Sequence, residues 1–340
     1  MTNSALESAL GSFGRRVRRL TPDTMLVADE LLIALAGPEA IHQPTDRAHL
    51  AEWVVEQLHH LIAGLSDDID RRIAEAVLAT RPEFYGKGIG QARAYLRSHH
   101  ESYVDSAYKR RRSVVIAQLA ASLDKAYQLK CAPRVFLSGR YTSEDTGRPI
   151  ADALGAALAT LPITLICGGS RVGAHTAYAM ARALRADGTY SPDRTTLYVR
   201  TESTRIAPIY QPLGHVIHVD TCRTETRRTM LRNAQLCLVF GGGDFGDADG
   251  NGTAEETDLA RERGIPIVPL ATTGGVAQQL WLDHRADAHR HLPRPRVVDY
   301  DDLDHRDPAV AITAALHLVT HHLALPLPLP LSVRELHARR

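Results

Sequence analysis

The sequence predicts a doubly wound, mostly parallel α/β sheet preceded by an all-α N-terminal module. Three observations lead to this fold class. From Pro133 onward, short β-rich apolar runs alternate with stretches of helical periodicity, and parallel neighbouring strands require such crossover helices. Several of those runs end directly in glycine. Before Lys130, by contrast, apolar residues recur at helical spacing. The boundary is placed near Cys131-Ala132-Pro133: residues 1–130 form the helical module, 131–322 the sheet domain and 323–340 a Pro/Leu-rich tail.

Taken in order, Pro22-Asp23 opens a helix over Thr24–Ala36, with Met25, Leu26, Ala28, Leu31, Leu32 and Leu35 at helical spacing. Helices over His49–Leu65, Ile69–Thr80 and Tyr108–Leu123 follow. Glu83–Gly90 reads as a loop, and its glycines follow no strand, so they make a poor dinucleotide fingerprint. Strands are expected at Arg134–Leu137, Ile163–Cys167, Thr195–Val199, His215–Val219, Gln235–Phe240 and Ile265–Leu270. The helices between and after them are Ile150–Ala159, Ala174–Leu184, Glu225–Asn233, Thr253–Arg263 and Val276–His284. A last helix, Ala309–His322, precedes Leu323–Leu331, where alternating proline forbids helix and favours polyproline II.

Composition narrows the function classes. The 340 residues are 44% apolar and 23% charged, ordinary for a globular protein. A net charge of +1 argues against a globally basic nucleic-acid binder. The four cysteines lack CxxC spacing, and Cys167 and Cys237 fall in expected strands, as reduced structural cysteines do. With no N-terminal apolar h-region and no run of about 18 apolar residues, a cytoplasmic chain without a membrane partner is expected. HExxH, GxSxG and Walker patterns are absent from the sequence.

The most informative stretch is Leu236–Phe240 followed by Gly241-Gly242-Gly243, then Gly252-Thr253-Ala254-Glu255-Glu256 at the start of a helix. A strand that leaves through glycines toward a helix N-terminus lets backbone approach an anionic ligand, and the exposed N–H groups and helix dipole favour negative charge. Three further strand ends carry comparable loops: Ser138-Gly139-Arg140, Gly168-Gly169-Ser170-Arg171 and Thr273-Gly274-Gly275. In an open α/β sheet all these carboxyl ends share one edge. A single nucleotide-type site is therefore expected there.

Together with Arg227-Arg228-Thr229-Met230 and the segment Gly264–Gly275, these loops resemble the SLOG superfamily of Rossmann-like domains. That superfamily includes LOG cytokinin-activating phosphoribohydrolases and sensor domains of prokaryotic defence proteins and TRPM channels. The resemblance covers roughly 134–284. It implies a nucleotide or NAD-derived ligand, and two activities: a sensor or regulatory module, or an N-glycoside hydrolase with Glu256, Arg227 and Arg228 as its catalytic groups. Glu256 falls on the glutamate of the family's PGGxGTxxE loop. Counting back from Met230 places Thr226 on the family's arginine and Arg227 on its lysine; Gly241 replaces the proline, and Asp244–Asn251 is inserted. Those departures favour the sensor.

Each of these residues also has a plainer reading. Thr253-x-x-Glu256 is a capping box, and Arg227 and Arg228 fit a solvated helix face. The insert carries Asp247, Asp249 and Asn251, with Asp258 at position twelve, which matches the opening of a calcium loop and equally a simple turn. A bound divalent cation, calcium or magnesium, is thus one expectation, though no cofactor is required. Arg15, Arg16, Arg18 and Arg19, with Lys109–Arg112, offer either a DNA-binding face or local pairing with the acidic 66–70 and 101–105 segments. The balanced charge favours pairing over nucleic acid. The expected partners are the small molecule and further copies of the chain in a homo-oligomer.

Overall fold

The computed structural model describes residues 4–38, 44–99, 105–200, 214–243 and 252–325. The chain divides into two compact units, Met1–Cys131 and Ala132–Arg340. Among the described residues no helix is long and apolar enough to cross a membrane.

The described residues of the first unit are helical: α1 Ser4–Arg16, α2 Pro22–Leu26, α3 Asp29–Ala36, α4 Pro44–Ala63, α5 Asp68–Val77, α6 Ile89–His99 and α7 Asp105–Cys131. The stretch read as one helix over Thr24–Ala36 is two, because the chain turns between Leu26 and Asp29. Helix α1 was not singled out from sequence, yet Leu6, Ala9, Leu10 and Phe13 follow the amphipathic pattern and are buried. Leu32, Leu58, Ile73, Phe84 and Leu119 complete its core. The loop expected over Glu83–Gly90 tightens into a 3-10 turn, Pro82–Phe84, and ends in the first residues of α6.

In the second unit, β1 Arg134–Arg140, β2 Thr164–Gly168, β3 Thr195–Arg200, β4 His215–Val219, β5 Leu236–Gly241 and β6 Ile267–Leu270 form one six-stranded sheet. The order is β4-β3-β2-β1-β5-β6 and every neighbouring pair is parallel. The connecting helices are α8 Glu144–Leu158, α9 Arg171–Ala186, α10 Arg223–Leu231, α11 Gly252–Glu262, α12 Gly275–His291, α13 Arg294–Asp302 and α14 Pro308–His322. Helix α13 was not expected from its charged sequence; it is tied down by Trp281, whose Nε1 donates to the Tyr300 carbonyl at 2.8 Å. Of the expected polyproline tail, residues 326–340 lie outside the described residues.

Side-chain alternation along the central strands builds a core on each face. Val135 and Leu137 of β1 and Leu236, Leu238 and Phe240 of β5 join one cluster with residues of α8, α9 and α14. Phe136, Cys237 and Val239 point the other way, among residues of α10, α11 and α12. All six residues of β5 are buried, which explains its continuous apolar run. Full burial of its Leu, Val and Phe side chains contributes about 1.5–3 kcal/mol each.

This topology defines where a candidate site lies. Strands β1 to β4 extend the sheet in one direction, and the chain then returns through α10 to lay β5 on the opposite side of β1. The crevice outside the carboxyl ends of β1 and β5 is thus the topological switch point, where α/β sheets hold ligands. Two glycines let the strands meet there. Gly139 has φ +150°, and a Cβ on it would lie 2.0 Å from the Phe240 carbonyl oxygen. Gly241 has φ +56° and faces the Arg140 carbonyl oxygen at 2.4 Å in the same sense.

Candidate functional site

Of the four loops expected at one edge, those at the β1, β5 and β6 ends are joined by direct contacts. The Gly241 amide donates to Thr273 Oγ1 at 2.7 Å, and that hydroxyl donates to the Leu270 carbonyl at 2.5 Å. The Gly242 amide donates to the Arg140 carbonyl at 3.0 Å, and a Cβ on Gly242 would meet Val276 and Thr253. Gly275 lies against the Gly242 carbonyl, and Gly274 lies near Thr142. Thr142 Oγ1 in turn donates to the Thr273 carbonyl at 3.2 Å. A side-chain and backbone lattice therefore fixes this edge.

Beside it a chain of polar side chains crosses the switch point. Ser138 Oγ, at the end of β1, donates to Glu256 Oε2 at 2.5 Å. Arg227 Nε of α10 reaches the other oxygen, Oε1, at 3.4 Å. The Arg227 guanidinium also pairs with Glu255 through Nη1. Thr224 Oγ1 donates to Glu255 Oε1 at 2.6 Å. Helical spacing explains the assembly, since Thr224 and Arg227 lie three residues apart on one face of α10.

Glu256 is the interior member of this chain: its side chain is 16% exposed against 38% for Glu255. Burial raises its pKa, while the Ser138 hydrogen bond and the Arg227 charge oppose the rise. Cys237 lies close enough that burial first, and then the Glu256 charge, push its thiol up. Folding thus favours the protonated form of Glu256. Its contribution to stability is fully present below the ordinary value of 4.5 and is lost as pH rises through the raised folded value. We expect Glu256→Gln, which does not titrate, to gain stability relative to wild type as pH rises through that interval, measured by thermal unfolding against pH. A difference independent of pH would contradict this.

Not every expected site residue joins the cluster. Arg228 points away, 52% exposed and 3.5 Å from Glu225, because it lies one residue further round the helix than Arg227. Thr226, which matched the family's arginine position, is buried, and its Oγ1 bonds to the Cys222 carbonyl at 3.1 Å. Ser170 caps α9 by accepting from the Gly173 amide at 3.1 Å, and Arg171, 74% exposed, pairs with Glu144. Gly168 and Gly169 sit at the end of β2, next to the switch point, with Met230 across from Gly168. Arg140 is exposed at the end of β1.

The expected capping box takes another form. Helix α11 starts at Gly252, one residue before Thr253, and Thr253 is buried. The carboxylate of Glu256 goes to Ser138 and Arg227 instead, where the guanidinium brings a full positive charge that a backbone amide lacks. Thr224 and Thr142 were missed by sequence reasoning. Thr224 was open to inference from its spacing to Arg227; Thr142 had no local signal.

Of the expected cation ligands, Asp247, Asp249 and Asn251 lie outside the described residues, as does the rest of the insert. Asp258 is exposed and pairs with Arg261 at 2.8 Å. Among the described residues no group of three or more His, Cys, Asp or Glu is placed to hold a metal ion. In the helical unit four basic residues of the two clusters are engaged locally. Arg111 pairs with Asp67 and Asp70, each at 2.5 Å, and Arg16 pairs with Glu30 at 2.9 Å. Arg19 stacks on Tyr85, 4.8 Å from its ring centroid, and Arg18 donates to the Gly86 carbonyl at 3.2 Å.

A wholly parallel sheet with a glycine-lined switch point, flanked by a carboxylate–guanidinium pair, defines a Rossmann-like domain. More specifically, the chain belongs to the STALD family, the Sir2- and TIR-associating SLOG family, which matches residues 116–305, more than half its length. Among solved structures it is similar to the crystal structure of TM1055, a structural-genomics target. That likeness is 21% identity covering 44% of this chain and 81% of the other, with a TM-score of 0.35. No curated protein matches the chain.

Proposed function

We propose that this protein binds a nucleotide or NAD-derived molecule at the β1/β5 switch point and acts as a sensor or regulatory module. The observation that carries this reading is the Ser138–Glu256–Arg227 chain lying across the switch point. The glycine loops admit the ligand's backbone-hugging phosphates, and Arg227 offers a planar fork that suits phosphate. Glu256 has both oxygens engaged and a raised pKa. A carboxylate so held serves to orient Arg227 and to accept from a ligand hydroxyl. Membership of a SLOG family, a superfamily that includes sensors of prokaryotic defence, agrees with the same reading. Binding then acts by differential affinity for two states of the protein, read out as a change in assembly.

A second reading, N-glycoside hydrolysis, is favoured by the direct contact of Glu256 with Arg227. Cleaving the bond to a nucleobase builds positive charge on the ribose. An ionised Glu256 would stabilise that charge while Arg227 holds the phosphate. The test is a thermal-shift screen against AMP, NAD and ADP-ribose, with each hit recovered and analysed for free base. The sensor reading expects intact ligand and a changed oligomer size. Base release by wild type, abolished in Glu256→Gln with binding retained, would establish the hydrolase instead.

A further inference from the structure

We propose that Glu255 is a resident occupant of the anion subsite on Arg227, displaced by the phosphate of the bound nucleotide. This rests on reading the switch point as a nucleotide site. Three observations converge on it. The Arg227 guanidinium is 15% exposed and rests against the first turn of α11: a Cβ on Gly252 would lie 2.4 Å from its Nη2. A cation at a helix N-terminus sits at the positive end of the helix dipole and needs an anion beside it. Glu255 supplies that anion through Nη1, steadied by Thr224.

Of the two glutamates, Glu255 is the one built to leave. Glu256 is anchored by Ser138, which is 1% exposed, whereas Glu255 is 38% exposed. Carboxylate and phosphate suit the guanidinium fork in the same way. Both cannot hold Nη1, and a phosphate beside an undisplaced Glu255 meets like charge. Glu255 therefore sets the affinity threshold of the site and selects ligands whose phosphate can outcompete it. The subsite is held in its binding geometry while no ligand is present.

The test is calorimetric titration of the full chain with AMP, adenosine and inorganic phosphate, for wild type, Glu255→Gln, Thr224→Val and Arg227→Ala. Glu255→Gln should bind AMP and phosphate about five- to tenfold more tightly, because the competing charge is gone. Thr224→Val, which only loosens Glu255, should shift in the same direction by less, and adenosine affinity should not change. The ligand-free melting temperature of Glu255→Gln should fall, opposite in sign to its binding, which a merely structural glutamate would not give. Unchanged or weaker AMP binding in Glu255→Gln, or an equal gain for adenosine, would overturn the inference. If wild type binds AMP and Arg227→Ala does not, an overturning result for Glu255→Gln leaves the nucleotide site standing. If folded wild type and Glu255→Gln both fail to bind AMP, the inference and the site fall together.

Discussion

Gly139→Ala is expected to destabilise the sheet domain by about 3–5 kcal/mol, the range of severe backbone and packing collisions. The added Cβ would lie 2.0 Å from the Phe240 carbonyl oxygen and 2.9 Å from its carbonyl carbon, at φ +150°. Neither atom is the end of a flexible side chain, so strands β1 and β5 must move apart. Their ladder, Val135↔Leu236 through Arg140↔Gly241, lies in the interior of the sheet, and spreading it opens both cores. It also withdraws Ser138 from Glu256. Chemical denaturation should show the loss as a lower midpoint with cooperative unfolding. A variant within about 1 kcal/mol of wild type would show that the β1/β5 contact is looser than described.

Arg227→Ala is expected to weaken phosphate-bearing ligands by about a hundredfold, the loss of a charge-assisted fork in a largely desolvated site. It also leaves Glu255 and Glu256 facing each other without their shared cation. The pKa of Glu256, already raised by burial, should rise further once the Arg227 charge that lowers it is gone. The variant should therefore be least stable near neutral pH and recover toward wild type as pH falls and Glu256 takes a proton. Arg227→Lys keeps charge without the fork and should fall between the two in affinity. Ligand affinity indifferent to Arg227 would remove it from the site.

Much of the sheet was legible in the sequence, because burial on both faces leaves continuous apolar runs and parallel crossovers leave helical periods between them. Glycine loops pointed to the candidate edge for a local reason: Gly139 and Gly241 stand where no side chain fits. The order of strands was not legible, since it depends on which buried runs pair. So the partner of Glu256 was hidden: Ser138 lies 118 residues away and meets it only because β5 sits beside β1. The choice between Arg227 and Arg228 was likewise decided by the rotation of α10 against α11, which no local pattern records. The capping-box signature at Thr253 matched a motif whose register the helix did not adopt.

The central claim is that ligand binds at the switch point of the sheet. Hydrogen–deuterium exchange of the intact chain, with and without the tightest-binding nucleotide from the screen, tests it most directly. Amides at the ends of β1 and β5, in residues 137–142 and 239–243, and in the first turns of α9 and α10, are expected to slow on binding. Protection confined to the helices of the Met1–Cys131 unit, with these strand ends unchanged, would contradict the account.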